Sequence, residues 1–191
     1  MANTQWVAAS AFVEWRDIPG SSVSVTRRDD LTMANLGVFE GQSDKVLEVI
    51  RSAYGIDLPR TPKIVTARGT SFLWYGPNQW LAVAAREQNR DLELELEPLF
   101  SGVASIVDQT DARAVVEISG HRARDVLAKG VPIDLHPSAF KTGDVAITHA
   151  SHIGIVICQM DDNPTYQISM FRSFADSFAE WLFHSCEEFS N

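Results

Sequence analysis

Apolar residues along this chain recur at two spacings, one typical of helices and one typical of strands. Val46, Leu47, Ile50 and Tyr54 share one helical face between Ser43, a good N-cap residue, and the stop residue Gly55. Helices are predicted at 43–54, 91–100, 121–129 and from about 173 onward. Strands are predicted at 31–40, 64–68, 71–75, 79–84, 103–108, 113–118, 144–149, 153–160 and 165–170.

The segment DLELELEPLF at 91–100 fits two patterns. Strict alternation of Leu and Glu favours a strand, whereas Leu92, Leu96 and Phe100 lie four residues apart and favour a helix. We predict a helix, because Leu and Glu are strong helix formers. The C-terminal helix is predicted to bury a stripe made of Phe174, Phe178, Trp181 and Leu182.

The predicted elements run in a similar order through two parts of the chain. Residues 31–102 and 103–191 each follow roughly the order strand, helix, several strands and a closing helix. We therefore expect an α+β fold of two similar small halves, with antiparallel sheets covered by helices. Residues 1–30 read as an irregular N-terminal arm. Its apolar residues predict that it packs on its own domain or on a partner: Trp6, Phe12, Val13 and Trp15.

Composition narrows the class of protein. The chain has 191 residues and 45% hydrophobic content, which suits one compact domain or two small halves sharing a core. The net charge of −9 disfavours nucleic-acid binding and suits a basic patch on a protein partner. No apolar run is long enough for a signal peptide or a spanning helix, so we expect a cytoplasmic protein that binds no membrane. The two separated cysteines, Cys158 and Cys186, are expected to be reduced thiols.

The stretch ISGHRARDVLAKGVPIDLHP at 118–137 concentrates charge and invites a functional interpretation. Gly120 stands where a phosphate loop would lie, between a strand and a helix. The further glycines and the Lys of such loops are absent. A charged helix explains the stretch better, with Ser119 as its cap, Gly130 as its end, and Arg122 paired with Asp125 on its outer face.

Other candidate sites also have ordinary explanations. His149 and His152 would need a third zinc ligand, for which Asp144 is the local candidate, and they also suit a polar turn. Cys158 in its apolar run is typical of a small buried residue. No serine-hydrolase or zinc-protease motif is present. We therefore assign no catalytic, cofactor-binding or metal-binding residue to this chain.

The segment LWYGPNQWLA at 73–82 places two tryptophans around a Gly-Pro turn. Trp74 and Trp80 suit an aromatic platform for a ligand. They equally suit a hairpin whose rings pack on the core or on a partner. The residues alone leave both interpretations open.

Three segments in order carry a family resemblance. They are LWYGPNQWLA at 73–82, SIVDQTDARAVVEISGHRARDVLAKGVPIDLHPSAF at 105–140 and FRSFADSFAEWLFHSCEEF at 171–189. Together they resemble the gamma subunit of heterotetrameric sarcosine oxidase over about residues 31–189. The most specific part joins Gly120–Leu127 to the run Asp134-Leu135-His136-Pro137 and to Phe140.

This resemblance implies a fold and a distribution of roles among the subunits of a complex. The fold would be a shortened form of the folate-binding aminomethyltransferase fold of the glycine cleavage T protein. The complex would oxidise sarcosine to glycine and hydrogen peroxide, with formaldehyde or a methylene-tetrahydrofolate as the one-carbon product. FAD, FMN, NAD, tetrahydrofolate and zinc are expected in the alpha, beta and delta partner subunits. The gamma chain itself would be a structural, non-catalytic subunit.

The sequence departs from the T-protein pattern at the catalytic segment. That pattern places an aspartate in Gly-Gly-Ile-x-Asp-Asp, which is absent here, and Asp161-Asp162 lacks the glycines and precedes a turn. Thr110–Asp111 and Arg113 also depart from the Ser-His that is commoner before the second strand in this family. Two alternatives stay open: a stand-alone tetrahydrofolate-dependent aminomethyltransferase-like protein, and the same subunit in a complex acting on another N-methyl amino acid.

Overall fold

A computed structural model of the chain describes residues 9–87 and 90–189, so the predicted arm residue Trp6 lies outside the described residues. The described residues form ten strands, β1 to β10, in chain order: Ser24–Arg27, Leu31–Val38, Ile64–Ala67, Thr70–Gly76, Gln79–Ala85, Ala104–Asp108, Arg113–Ser119, Val145–Ala150, Ile153–Asp161 and Thr165–Phe171. The same part of the chain forms four α-helices, α1 to α4: Ser43–Tyr54, Leu92–Phe100, Ala123–Ala128 and Ala175–Cys186.

The strands form two antiparallel sheets with matching strand orders. The first sheet has the order β3-β4-β5-β2-β6, and the second, read from its far edge, has the order β8-β9-β10-β7-β1. The helices also correspond, since α1 and α3 follow β2 and β7, while α2 and α4 follow β5 and β10. The predicted α+β fold of two similar halves with antiparallel sheets is confirmed.

The two edge strands β6 and β1 occupy equivalent places but come from different parts of the chain. Strand β6 follows α2 and pairs with β2, with Leu36 opposite Ile106. Strand β1 comes from the N-terminal segment and pairs with β7, with Val25 opposite Ile118. The division between the sheets therefore falls after Asp108 rather than at 102/103, because β6 hydrogen-bonds to the first sheet.

The predicted irregular arm contains an ordered strand and a buried anchor. In addition to β1, Ile18 exchanges backbone hydrogen bonds with Val25, at 3.0 and 2.9 Å. The Phe12 ring is buried in the core of the second half, and Trp15 packs against Phe183 of α4. The segment thus packs on its own chain.

Alternate side chains along each strand face either the helices or the other sheet, so the molecule has four layers. On β2, Ala34 and Leu36 face the helices α1 and α2, whereas Leu31 and Met33 face the second sheet. The second sheet repeats the arrangement, since Val116 of β7 lies in the core under α3 and α4. The order of layers is helices, sheet, sheet, helices.

The helix ends show which sequence signals were correct. Gly55 ends α1 with a φ of 73°, as predicted, but Ser43 is the first helical residue and Gln42 occupies the N-cap without a side-chain hydrogen bond. The Ser43 hydroxyl instead donates to Asn78 Oδ1. Segment 91–100 is the predicted helix, because a helical turn buries Leu92, Leu96 and Phe100 together against the sheet.

One residue of the predicted C-terminal stripe is misplaced. Phe178 and Leu182 are fully buried, but Phe174 remains 45% exposed. A single 3-10 turn at Arg172–Phe174 precedes α4 and, with three residues per turn, rotates Phe174 off the buried face. Across the described residues, no helix combines the length and apolar character needed to cross a membrane.

Candidate functional site

The space between the two sheets is the candidate functional site. Its apolar part contains four buried residues from each sheet: Leu31, Met33, Leu73, Leu81, Val115, Val145, Val156 and Cys158. A cavity of about 140 Å³ lies among them, bordered on its polar side by Arg28, Gln167 and Ser169. Small-molecule pockets usually span about 300–1,000 Å³, so this cavity is smaller than a typical ligand pocket.

A chain of charged and polar contacts borders this space. Arg28 binds the Asp30 carboxylate with two nitrogens, at 2.8 and 2.9 Å, and reaches Glu117 at 3.0 Å. Gln167 donates to the same Glu117 oxygen at 3.1 Å. The hydrogen bond from Arg28 lowers the pKa of Asp30, and that bond in turn raises the pKa of Arg28.

Arg113 begins β7 and is buried, with 7% of its surface exposed. Its guanidinium donates to the Tyr75 hydroxyl at 2.7 Å and to Ser169 Oγ at 3.4 Å. The rings of Tyr75 and Phe171 lie 5.0 and 5.1 Å from its central carbon. Its Nε is enclosed and has no hydrogen-bond partner in the part of the chain that the structure describes.

A second cavity, of about 330 Å³, adjoins Arg113 beside the turns that lead into β2 and β7. We call it the arginine cavity, because five arginines line it: Arg27, Arg28, Arg86, Arg113 and Arg172. Arg28, Leu31, Met33 and Val115 border both cavities, so the two are neighbours.

The charged stretch 118–137 is not a phosphate loop. At Gly120 the N-terminal segment crosses over its backbone. Gly120 has a φ of 108°, and a Cβ there would lie 2.5 Å from the Ser22 carbonyl oxygen. That same carbonyl accepts a hydrogen bond from the Arg122 amide at 3.0 Å. Glycine is therefore needed where the N-terminal segment passes over the end of β7.

The helix in this stretch is shorter than predicted and has different ends. It spans Ala123–Ala128, with Arg122 at the N-cap, so Ser119 is the last residue of β7 and not a cap. Gly130 lies beyond the C-cap Lys129 and lacks a positive φ; a Cβ on it would lie 2.7 Å from the Trp181 ring. The predicted exposed pair is confirmed, with Arg122 and Asp125 joined at 3.1 Å.

The histidines and Asp144 do not converge. His149 and His152 are exposed at the β8–β9 turn, whereas Asp144 precedes the other end of β8, about 16 Å away along an extended strand. Asp144 pairs with Lys63. Partial burial alone would raise the pKa of Asp144, but the hydrogen bonds from Lys63 and the Lys141 amide lower it overall. In the ranges 9–87 and 90–189, no three His, Cys, Asp or Glu side chains form a group that could hold a metal ion.

Both cysteines are buried thiols. Burial raises the pKa of Cys158, which lies between the sheets, to about 12. Burial also raises the pKa of Cys186, at the end of α4, to about 11. Such thiols carry little thiolate at neutral pH and are poor nucleophiles there.

The acidic pair Asp161-Asp162 supports a turn. Asp161 Oδ1 accepts backbone hydrogen bonds from Asn163 and Thr165, both at 2.9 Å. Asp162 accepts a hydrogen bond from Thr142 at 2.6 Å. These bonds hold the β9–β10 connection in place.

The two tryptophans of 73–82 pack on the core of the first half. Trp80 is buried and donates from Nε1 to the Pro59 carbonyl at 2.8 Å, and Trp74 packs beside the same core. Both rings also line a surface cavity of about 350 Å³ together with Leu47 and Arg60. The hairpin interpretation of this segment explains their main contacts.

Sequence reasoning missed the arrangement around Arg113. The available signal was an arginine at the start of an otherwise apolar strand, RAVVEIS. Its partner Tyr75 lies on a strand of the other half, so no local pattern could join the two residues.

The comparisons with known proteins agree on one family. The sarcosine oxidase gamma subunit family matches residues 42–188 of this chain. Sarcosine oxidase subunit gamma from Corynebacterium sp. (strain P-1) is 27% identical over 175 residues, which cover 90% of this chain and 85% of that one. The corresponding subunit from Arthrobacter sp. is 30% identical over 145 residues, covering 74% and 70% of the two chains.

Solved structures show the same fold. A chain of the heterotetrameric sarcosine oxidase from Corynebacterium sp. U-96, in complex with pyrrole 2-carboxylate, superposes with a TM-score of 0.79 at 24% identity, covering 92% of this chain and 89% of that one. Glycine cleavage system aminomethyltransferase T from Bartonella henselae superposes with a TM-score of 0.63 at 14% identity, covering 85% of this chain and 45% of that protein. The predicted likeness to the T-protein fold is confirmed. With the family match extending over most of its length, the chain belongs to the sarcosine oxidase gamma subunit family.

Proposed function

We propose that this chain is the gamma subunit of a heterotetrameric sarcosine oxidase and that its role there is structural and non-catalytic. The complex would oxidatively demethylate sarcosine to glycine in the cytoplasm, releasing hydrogen peroxide and either formaldehyde or methylene-tetrahydrofolate. Alpha, beta and delta subunits would be its partners and would carry FAD, FMN, NAD, tetrahydrofolate and zinc. Family membership supports the subunit assignment.

The non-catalytic role is supported mainly by one observation: the reactive side chains of this chain are buried or are engaged in turns and ion pairs. Burial raises the pKa values of the Cys158 and Cys186 thiols. Asp161 holds a turn, and Asp144 is paired with Lys63. These groups serve the fold, which supports a chain that stabilises a complex while its partners perform the oxidation.

We also propose that residues 31–191 form the family domain and that residues 1–30 form an N-terminal arm, of which β1 completes the second sheet of that domain. The surface of this domain suits a partner because several large apolar side chains are exposed. Phe171 is 51% exposed, Phe174 is 45% exposed, and Val13 is 84% exposed. Apolar contacts together with the negative net charge would favour docking onto larger chains that offer apolar and basic surfaces.

The proposal is tested by expressing the four subunits together and then omitting this chain. We expect the complete set to purify as one assembly with sarcosine oxidase activity. Omission should reduce the yield of assembled complex, whereas the purified chain alone should show no turnover of sarcosine. A fully assembled and fully active complex of the other three subunits would contradict the proposed role.

A second candidate is a stand-alone tetrahydrofolate-dependent aminomethyltransferase-like protein. The fold shared with the aminomethyltransferase favours it, whereas the 140 Å³ cavity between the sheets opposes it. Titration of the full chain with tetrahydrofolate separates the two candidates. Saturable binding that is lost when Val115 is replaced by Trp in the cavity wall would favour the aminomethyltransferase-like role.

The same subunit in a complex acting on another N-methyl amino acid is a further alternative. Comparing the turnover of sarcosine with that of dimethylglycine and N-methylalanine by the purified complex would distinguish these substrates.

A further inference from the structure

The arginine cavity concentrates positive charge in an acidic protein. The chain contains twelve arginines, of which five line this one cavity, together with the two aspartates Asp29 and Asp111. Asp29 already bridges to Arg27 at 3.1 Å. The charge of Arg28 is likewise neutralised by Asp30 and Glu117, two carboxylates that do not line the cavity.

Within residues 9–87 and 90–189, the other three arginines lack such compensation. Among the described residues, no carboxylate lies within 4.0 Å of the side-chain nitrogens of Arg86, Arg113 or Arg172. Within the described residues, Arg172 donates only to the carbonyls of Ala9 and Ser10, at 2.9 and 3.0 Å. Arg86 is exposed and also lines the cavity.

Arg113 is the residue for which the lack of a counter-ion matters most. Guanidinium groups stay charged in proteins, and a buried charge without a partner is costly. The rings of Tyr75 and Phe171 and two hydroxyl groups offset only part of that cost, because none of these groups carries a negative charge.

We propose that the arginine cavity binds a small organic dicarboxylate, with one carboxylate paired to Arg113. Arg172 and Arg86 supply the remaining positive charge. The planar guanidinium matches a carboxylate with two parallel hydrogen bonds. This site lies wholly on the described part of this chain and does not rest on the proposed function.

The walls of the cavity favour an organic ligand over a bare inorganic anion. Leu31, Met33, Ala114 and Val115 line it beside the arginines and provide contact for a short hydrocarbon body. Its volume of about 330 Å³ lies at the lower end of the range for small-molecule pockets, about 300–1,000 Å³. A short-chain dicarboxylate uses both the charged and the apolar walls.

Calorimetric titration of the purified full chain with glutarate tests the site. Glutaramide, which has the same shape without charge, is the reference ligand, and ionic strength is kept low because salt screens such contacts. We expect saturable binding of glutarate with one site per chain and no binding of glutaramide. Loss of a charge-assisted hydrogen bond in Arg113→Gln should weaken binding at least about tenfold.

Two further variants keep the test independent of folding defects. Arg86→Gln changes an exposed side chain and should also weaken glutarate binding, while circular dichroism checks that each variant is folded. Arg51→Gln removes an arginine whose partner is Asp57, outside the cavity, and should bind glutarate like the parent chain. Absence of saturable glutarate binding, equal binding of glutaramide, or unchanged affinity in folded Arg113→Gln and Arg86→Gln would overturn the proposal.

Discussion

Gly130 shows how a residue in a charged stretch can be required by packing. A Cβ at this position would meet three atoms of the Trp181 ring within 2.9 Å, so the backbone after α3 lies directly against α4. The sequence suggested a helix stop, since glycine is common there. The contact with Trp181 is long-range in sequence and could not be inferred from local signals.

We predict that Gly130→Ala destabilises the protein. The added methyl must displace the Trp181 ring, and overpacking of this kind costs about 1–3 kcal/mol. Urea unfolding of the purified chain measures the change. Gly154→Ala is the matched control, because a Cβ on Gly154 meets nothing within 4 Å, and its effect should stay within about 0.5 kcal/mol. Equal effects of the two substitutions would contradict the packing argument.

The buried thiol of Cys158 predicts a pH dependence of stability. Its pKa is raised to about 12 in the folded chain, so above its unfolded pKa of about 8.5 the folded state holds the proton more tightly. Stability from this group is therefore present at lower pH and is lost as pH rises from about 9 towards 12.

Replacing Cys158 by Ala should flatten that part of the profile. Between about pH 8 and pH 10, the free energy of unfolding should fall by about 1–2 kcal/mol less in Cys158→Ala than in the parent chain. Denaturant unfolding at the two pH values provides the comparison. Parallel pH profiles would show that the thiol does not titrate differently in the two states.

At the scale of whole elements, the ends of α1 and α2 provide a matched pair of substitutions that tests helix capping. Asp91 Oδ1 accepts a hydrogen bond from the Leu94 amide and caps α2, at 3.1 Å, whereas Ser43 caps no helix. We predict that Asp91→Ala costs about 1 kcal/mol of stability, while Ser43→Ala costs less than about 0.5 kcal/mol. Chemical denaturation measures both values. A larger loss for Ser43→Ala would restore the sequence-based prediction of its capping role.

Strand β1 depends on the close approach at Gly120. Gly120→Ala places a methyl group 2.5 Å from the Ser22 carbonyl and forces a φ of 108° on a residue with a side chain. We predict that the N-terminal segment detaches locally, so that amide hydrogens of Ser24–Arg27 exchange faster while those of β4 keep their protection. Hydrogen exchange with mass spectrometry measures the amide exchange rates of both strands. Unchanged exchange in β1 would show that the crossing tolerates a Cβ.

Regular elements were predictable where periodicity was strong, and β1 was not. The segment 91–100 carried two patterns, and burial of Leu92, Leu96 and Phe100 against the sheet decided between them. By contrast, β1 spans only Ser24–Arg27 and takes its regularity from pairing with β7, about ninety positions later in the chain. Pairing partners at such separation leave no local signal in the sequence.

At the scale of the molecule, the two halves have the same arrangement of strands and helices, except that the fifth strand of each sheet comes from a different part of the chain. The first sheet is completed by β6, which follows its last helix, and the second by β1, which precedes the whole fold. The repeated order of elements could be predicted from the sequence, but the origin of the fifth strand could not. The N-terminal segment thus belongs to the second sheet, and its removal should expose the β7 edge.

The Arg113 site also belongs to this scale, because it requires both halves. Tyr75 comes from the first sheet and Ser169 from the second, and Arg113 joins them. The sequence could show an arginine in an apolar strand, but not that no carboxylate of the described residues approaches it.

The central claim, that this chain is a subunit of a sarcosine-oxidising complex, is tested most directly by native mass spectrometry. The four subunits are expressed together and purified through an affinity tag on this chain. We predict a single assembly that contains one copy of the 21.2 kDa chain with alpha, beta and delta subunits and that oxidises sarcosine. Recovery of the tagged chain alone, with all sarcosine oxidase activity in an assembly that lacks it, would contradict the claim.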